Sequence, residues 1–207
     1  DTDNMLRITR AVVEAAGSIP VTVKTRLGWD EKSICIQHLA EPLQDCGIQA
    51  LTIHGRTRCQ MYKGEARWEV IREIRQNPRI RIPIIGNGDV VSGETARTMR
   101  DDYGLDGCMI GRAAIGNPWI FADVKHFLAT GEHLPSPGIP ERVEAARFHL
   151  QRAVAWKGER LGVLETRKHY AGYFKGVPEF KATRIKLCTT DASVEVFEIL
   201  NNILNDF

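Results

Sequence analysis

No apolar run in the 207 residues approaches the roughly 20 that a membrane-spanning helix needs. The opening DTDNMLRITR has none of the basic-then-apolar layout of a secretory leader. The five cysteines, Cys35, Cys46, Cys59, Cys108 and Cys188, offer no CxxC pair and no metal-ligand spacing. That excludes a zinc module or a disulfide scaffold as the organising device and reads as reduced thiols in a cytoplasmic protein. Aromatic residues are only 7%, low-complexity segments are absent, and the net charge of +2 is too small to imply nucleic acid from the overall field. What remains is an ordinary globular composition, 43% hydrophobic and 26% charged. Its length suffices for one core, or one core with a small appendage.

The first 130 residues alternate short apolar runs with helical patterns. The runs are 21–23 (VTV), 50–53 (ALTI), 82–85 (IPII) and 107–110 (GCMI), each reading as a strand buried on both faces. Between them, residues 33–45, 66–76 and 92–103 carry apolar residues at helical spacing, with Ser92 as an N-cap and Gly47 and Gly104 as C-terminal stops. Pro42 should kink the first of these helices or end it early. A strand every 25–30 residues or so is the rhythm of a parallel α/β sheet. Four such units make about half of a (β/α)8 barrel; a small doubly wound sheet is the alternative. Residues 131–140, GEHLPSPGIP, read as a linker, and 141–207 as a helical domain, with stripes Val143, Ala146, Leu150, Ala153, Val154 and Val196, Phe197, Leu200, Ile203, Leu204.

Polar signatures cluster at the strand ends: Lys24 in VTVKTRLGWD, His54 in LTIHGRTR, Asn87-Gly88-Asp89 in IPIIGNGDV, and Gly111-Arg112 in CMIGRAAIGNPWIF. Alone, the lysine reads first as solvated and the histidine first as structural, and Gly86-Asn87-Gly88-Asp89 reads equally well as a tight turn. Together they mark the edge where α/β folds bind ligands. Glycines admit an anion close to backbone N–H groups, and Arg112 adds a charge-assisted contact, so a phosphate-bearing molecule is expected there. Asn117-Pro118 reads as N-cap and N1 of the next helix. Lys24 and His54 would line the mouth of the site and donate to electron-rich ring atoms.

The set VTVKTRLGWD, LTIHGRTRCQMYKGEARW, IPIIGNGDV and MIGRAAIGNPWIF, with RKHYAGYFKGVP at 167–178, resembles the tRNA-dihydrouridine synthases, in particular the bacterial type-B branch. The resemblance implies the C-terminal half of an FMN-binding TIM (β/α)8 barrel (residues 1–130) followed by a small all-α domain that helps hold tRNA. It implies reduction of tRNA uridines with FMN and NADPH. Carried over by position, Lys24 and His54 would contact the flavin ring, Asn87, Gly88 and Asp89 the ribityl and phosphate region, and Gly111 and Arg112 the phosphate. The family's catalytic cysteine motif matches none of the five cysteines, so the acid is expected upstream of this chain. No metal is implied.

Charge is uneven along the chain. Residues 56–81 hold eight basic against three acidic residues, and 142–186 hold eleven against four. Arg56, Arg58, Lys63, Arg167, Lys168 and Lys175 are the expected RNA contacts, because RNA binding neutralises phosphates. Tyr170, Tyr173 and Phe174 serve either as base-stacking rings or as core. Two rival readings remain: a phosphate-binding barrel lyase or isomerase using Lys24, and a non-catalytic RNA-binding remnant.

Overall fold

The computed structural model describes residues 1–207, which cluster into two compact units. The first comprises Asp1–Arg112 and Val124–Gly131. Its centre is a parallel sheet of β1 (Thr22–Arg26), β2 (Ala50–His54), β3 (Ile84–Asn87) and β4 (Gly107–Met109), in the order β1-β2-β3-β4. The order never reverses, so the sheet lacks the switch point of a doubly wound fold.

Each crossover carries a helix: α2 (Ile36–Asp45), α3 (Trp68–Gln76) and α4 (Gly93–Asp101). The expected cap at Ser92 is present, its hydroxyl accepting from Thr95 N while the Thr95 hydroxyl accepts from Ser92 N. Gly47 and Gly104 adopt positive φ, as their places after helices require. Pro42 does not end α2. The helix runs on to Asp45, because a proline removes only one N–H and the Pro42 carbonyl still accepts from Cys46 N at 3.1 Å. A further helix, α1 (Thr2–Ala16), went unassigned in the sequence reading; Asp1 caps it by accepting from Asn4 N.

The strands are not buried alike on both faces. Leu51, Ile53 and Ile84 are wholly buried on the helix side. There Gly86 passes so close to α4 that an added Cβ would meet the Met99 sulfur at 2.4 Å. The other face presents Lys24, Arg26, Thr52, His54 and Asn87 in register. Alternation along parallel strands thus gathers these polar residues on one side, where Ile85 and Met109 share the face.

The second unit comprises Ala113–Asp123 and Glu132–Phe207. It holds α6 (Ile139–Lys157), α7 (Glu159–Tyr173), α8 (Lys181–Thr189) and α9 (Ser193–Asp206). Its core joins Val143, Ala146 and Leu150 to Val163, Tyr170, Leu187, Val196, Leu200 and Ile203. Tyr170, Tyr173 and Phe174 are 0%, 6% and 3% exposed, which decides for packing against base stacking. Leu204, placed on the apolar stripe by its spacing, is exposed instead.

The domain boundary differs from the sequence division. Residues 113–123 cluster with the helical unit, for a visible reason: Gly116 lies against α7, where a Cβ would meet the His169 carbonyl oxygen at 2.1 Å. The next helix, α5 (Ile120–Thr130), begins after Pro118, with Asn117–Trp119 forming a turn whose Asn117 carbonyl accepts from Ile120 N. No helix is long and apolar enough to cross a membrane.

Candidate cofactor site at the strand ends

The register of the sheet places Arg26, His54, Asn87 and Met109 side by side across all four strands. Lys24 sits one layer deeper, opposite Thr52, and is mid-strand rather than at the strand end where the sequence had put it. Arg26 is the residue that occupies the end of β1, and sequence reasoning missed it. It donates to the carbonyls of Thr57 and Met61 at 2.8 and 2.9 Å, and so ties the 57–64 loop to β1.

The three motifs after β2 and β3 interlock around Asp89. Its carboxylate accepts from Arg56 at 2.6 Å, from Ala66 N at 2.8 Å and from Arg112 at 3.0 Å. Arg56 also donates to the carbonyls of Lys63 and Gly64. With 2% exposure it is a buried strut, not the RNA contact expected from its charge. Arg67 N donates to the Gly55 carbonyl and Trp68 Nε1 to the Gly88 carbonyl, which closes the segment over the GNGD turn. Glycine is required at position 88: φ is 109°, and a Cβ would meet His54 Cδ2 at 2.8 Å. Asp89 itself holds a left-handed φ of 56°, an unusual backbone for a non-glycine residue that the three contacts to its carboxylate stabilise. Arg112 stacks on the exposed Tyr62 ring at 4.7 Å, and Gly111 opens onto free space.

The electrostatics follow from this packing. Burial first, then the charges of Arg26, Lys24 and Arg56, push the His54 pKa down to about 4, against the smaller upward pull of Asp89. His54 is therefore neutral near pH 7. An Arg56 N–H directed at Nε2, over a long 3.5 Å, favours the tautomer with the proton on Nδ1. Burial and Arg26 lower Lys24 as well. For Asp89, burial raises the pKa, but the combined hydrogen bonds and charges of its partners hold it below the usual carboxylate value. The result is a cationic rim with a neutral imidazole inside it, suited to a ligand that carries or develops negative charge.

A family model for dihydrouridine synthase matches residues 1–206. The chain belongs to the dihydrouridine synthase family. It is 41% identical to a probable tRNA-dihydrouridine synthase 1 of Synechocystis sp. over 198 residues, covering 96% of this chain and 55% of that protein. It is 43% identical over 188 residues to the tRNA-dihydrouridine synthase B of Pseudomonas aeruginosa, covering 89% of this chain and 56% of the relative. For that of Vibrio vulnificus the identity is 40% over 205 residues, covering 99% and 62%. The chain thus spans little more than half the length of these relatives.

Of the other residues expected at RNA, Arg58 and Lys63 belong to the first unit and Arg167, Lys168 and Lys175 to the second. Arg58 is exposed and lies 6.0 Å from the centre of the Trp29 ring. Lys63, Lys168 and Lys175 are exposed. Arg167 is engaged by Asp191 and the Thr190 carbonyl, with its side chain 22% exposed. All five cysteines are free thiols. Cys108 pairs in register with Gly86 on the helix-facing side of the sheet, and burial pushes its thiol pKa up.

His54 gives a pH-dependent expectation. Its folded pKa lies below the ordinary value, so unfolding takes up a proton in acid. Its contribution to stability is fully present above about pH 6.5 and is lost as pH falls toward about 4. Ring resonances of His54 should titrate near pH 4 in an NMR experiment. In His54→Gln, the fall in urea-unfolding stability between pH 7 and pH 4.5 should be smaller than in the parent.

Proposed function

We propose that the full-length protein reduces uridines in tRNA to 5,6-dihydrouridine, using FMN as cofactor and NADPH as reductant, in the cytoplasm. The observation that carries this is the layer of Arg26, His54 and Asn87 in register, with Lys24 below it and Arg112 beside it. The relatives' printed names, tRNA-dihydrouridine synthase, agree with it. The sequential strand order supports reading the first unit as half of a TIM barrel.

The residues fit the cofactor. Gly111 leaves room for a phosphate to approach the backbone, Arg112 supplies a charge, and the Asn87-Gly88-Asp89 turn is held rigid by Trp68, Ala66 and Arg56. Lys24 and His54 would face the ring. When bound and reduced, FMN would supply a hydride to one carbon of the uracil double bond, the other carbon taking a proton from an acid outside the residues named here. Lys24 then places positive charge where reduction accumulates negative charge, and neutral His54 donates without adding to the repulsion among its cationic neighbours. No residue of this chain is assigned as the acid. Lys168, Lys175, Arg58 and Lys63 supply exposed cations for tRNA phosphates, with Arg167 next to them in sequence.

Purified full-length protein should show the visible absorption of a flavin and form dihydrouridine on unmodified tRNA with NADPH. Lys24→Ala should keep tRNA affinity and lower the reduction rate roughly 100-fold, the usual scale for one donor aimed at developing charge. A colourless protein that ignores added FMN would overturn the reading and return the site to the phosphate-binding lyase or isomerase alternative.

A further inference from the structure

The core face of α6 is set by Val143, Ala146 and Leu150, all buried. On the opposite side, Phe148, Arg152 and Trp156 follow one another at i, i+4 and i+8 and form a line along the helix. Phe148 is 60% exposed and Trp156 82% exposed, the latter the most exposed large apolar side chain in the protein. A solvated helix face ordinarily carries charged and polar residues, so two large rings in line there call for a ligand.

Each ring already carries a cation. The Arg152 guanidinium lies 5.6 Å from the Phe148 ring centre, and Lys157 Nζ lies 4.8 Å from that of Trp156. Lys157 is also paired with Glu165 on α7. Eight residues of helix span about 12 Å, so the rings stand about that far apart along the axis, with a guanidinium between them. The segment that carries them is basic: residues 142–186 hold eleven Lys and Arg against four Glu. Aromatic rings interleaved with cations suit unpaired nucleobases, which stack on the rings while their phosphates meet the positive charge. An apolar protein surface would gain from the rings but would have to desolvate the Arg152 guanidinium that lies against them.

We propose that Phe148, Arg152 and Trp156 of the helical unit form a stacking face for unpaired bases of an RNA. The inference rests on the tRNA reading of the preceding section.

The test measures binding of unmodified tRNA to full-length protein at several salt concentrations. Phe148→Ala/Trp156→Ala should bind about tenfold more weakly or worse, with an unchanged slope of log K against log salt, because stacking is not ion release. Arg152→Ala should lower the magnitude of that slope by about 0.7–0.9. Trp156→Phe should retain binding, and far-UV circular dichroism checks that each variant is folded. Wild-type affinity in the double alanine variant would overturn the stacking face, as would an effect confined to self-association or protein capture. If the wild-type protein binds no tRNA at all, the tRNA reading falls and this inference with it.

Discussion

Arg56→Met is expected to destabilise the full-length protein by about 3 kcal/mol, the usual cost of breaking a buried charged pair from one side. For a domain of this size that is a fall in Tm of roughly 6–12 °C. Methionine keeps much of the volume but none of the donors. The carbonyls of Lys63 and Gly64 then lose their donor inside the fold, and the Asp89 oxygen that Arg56 shares with Ala66 N loses one of its two. The loss should propagate. Asp89 would retain only Ala66 N and Arg112, and its left-handed backbone would be held by fewer contacts. We therefore expect weaker retention of FMN alongside the lower Tm. Arg58→Met, two residues on at an exposed position, should change Tm by a degree or two at most. Equal effects from both substitutions, measured by thermal unfolding, would show that burial and pairing are not what holds Arg56.

Gly116→Ala is expected to cost the helical unit a comparable amount. Gly116 has φ +66°, a region that costs an L-residue roughly 1–2 kcal/mol. Its new methyl would also fall 2.1 Å from the His169 carbonyl oxygen and 2.8 Å from Tyr173 N, both backbone atoms of α7. Overpacking ordinarily adds about 1–3 kcal/mol more, and here nothing flexible can turn aside. Gly172→Ala strikes the same crossing from the other side, 2.1 Å from the Ile115 carbonyl oxygen, and should behave alike although its own backbone is helical. A total loss of roughly 2–5 kcal/mol is expected, read as reduced urea resistance. Gly104→Ala is the control: its φ is +66° too, but no atom lies within 4 Å of the added carbon, so it should show the backbone cost alone.

Much of this was legible because the chain obeys two simple periods. Strand after helix after strand gave the sheet, and apolar spacing gave α2, α3, α4, α6 and α9 to within a few residues. The misses have physical causes. The run at 21–23 was closed at the first charged residue, yet β1 continues to Arg26 because β2 offers pairing as far as His54. Lys24 and Arg26 share a face, and that two-residue alternation was the available signal. Arg56 was counted as surface charge because a count cannot see that two carbonyls and a carboxylate surround it. The nearby acid in GNGD was the hint. The aromatics of RKHYAGYFKG were ambiguous because ring chemistry is the same in a core and on an RNA-binding face. Only burial separates Tyr170 at 0% from Trp156 at 82%.

Residues 113–123 cluster with the helices, 124–131 with the sheet, and 132 onward with the helices again. The backbone therefore passes between the units three times, at 112/113, 123/124 and 131/132, not once. Anyone seeking to separate the two by cutting in the Pro-rich stretch would leave both pieces injured. The severed helices would lack Gly116 and Trp119, the ring that meets Tyr173 edge-on. The severed sheet would keep an orphaned stretch bearing them. A single exchange of one half for that of a relative carries the same fault. Only a graft that moves 113–123 together with 132–207 transfers the helical unit whole.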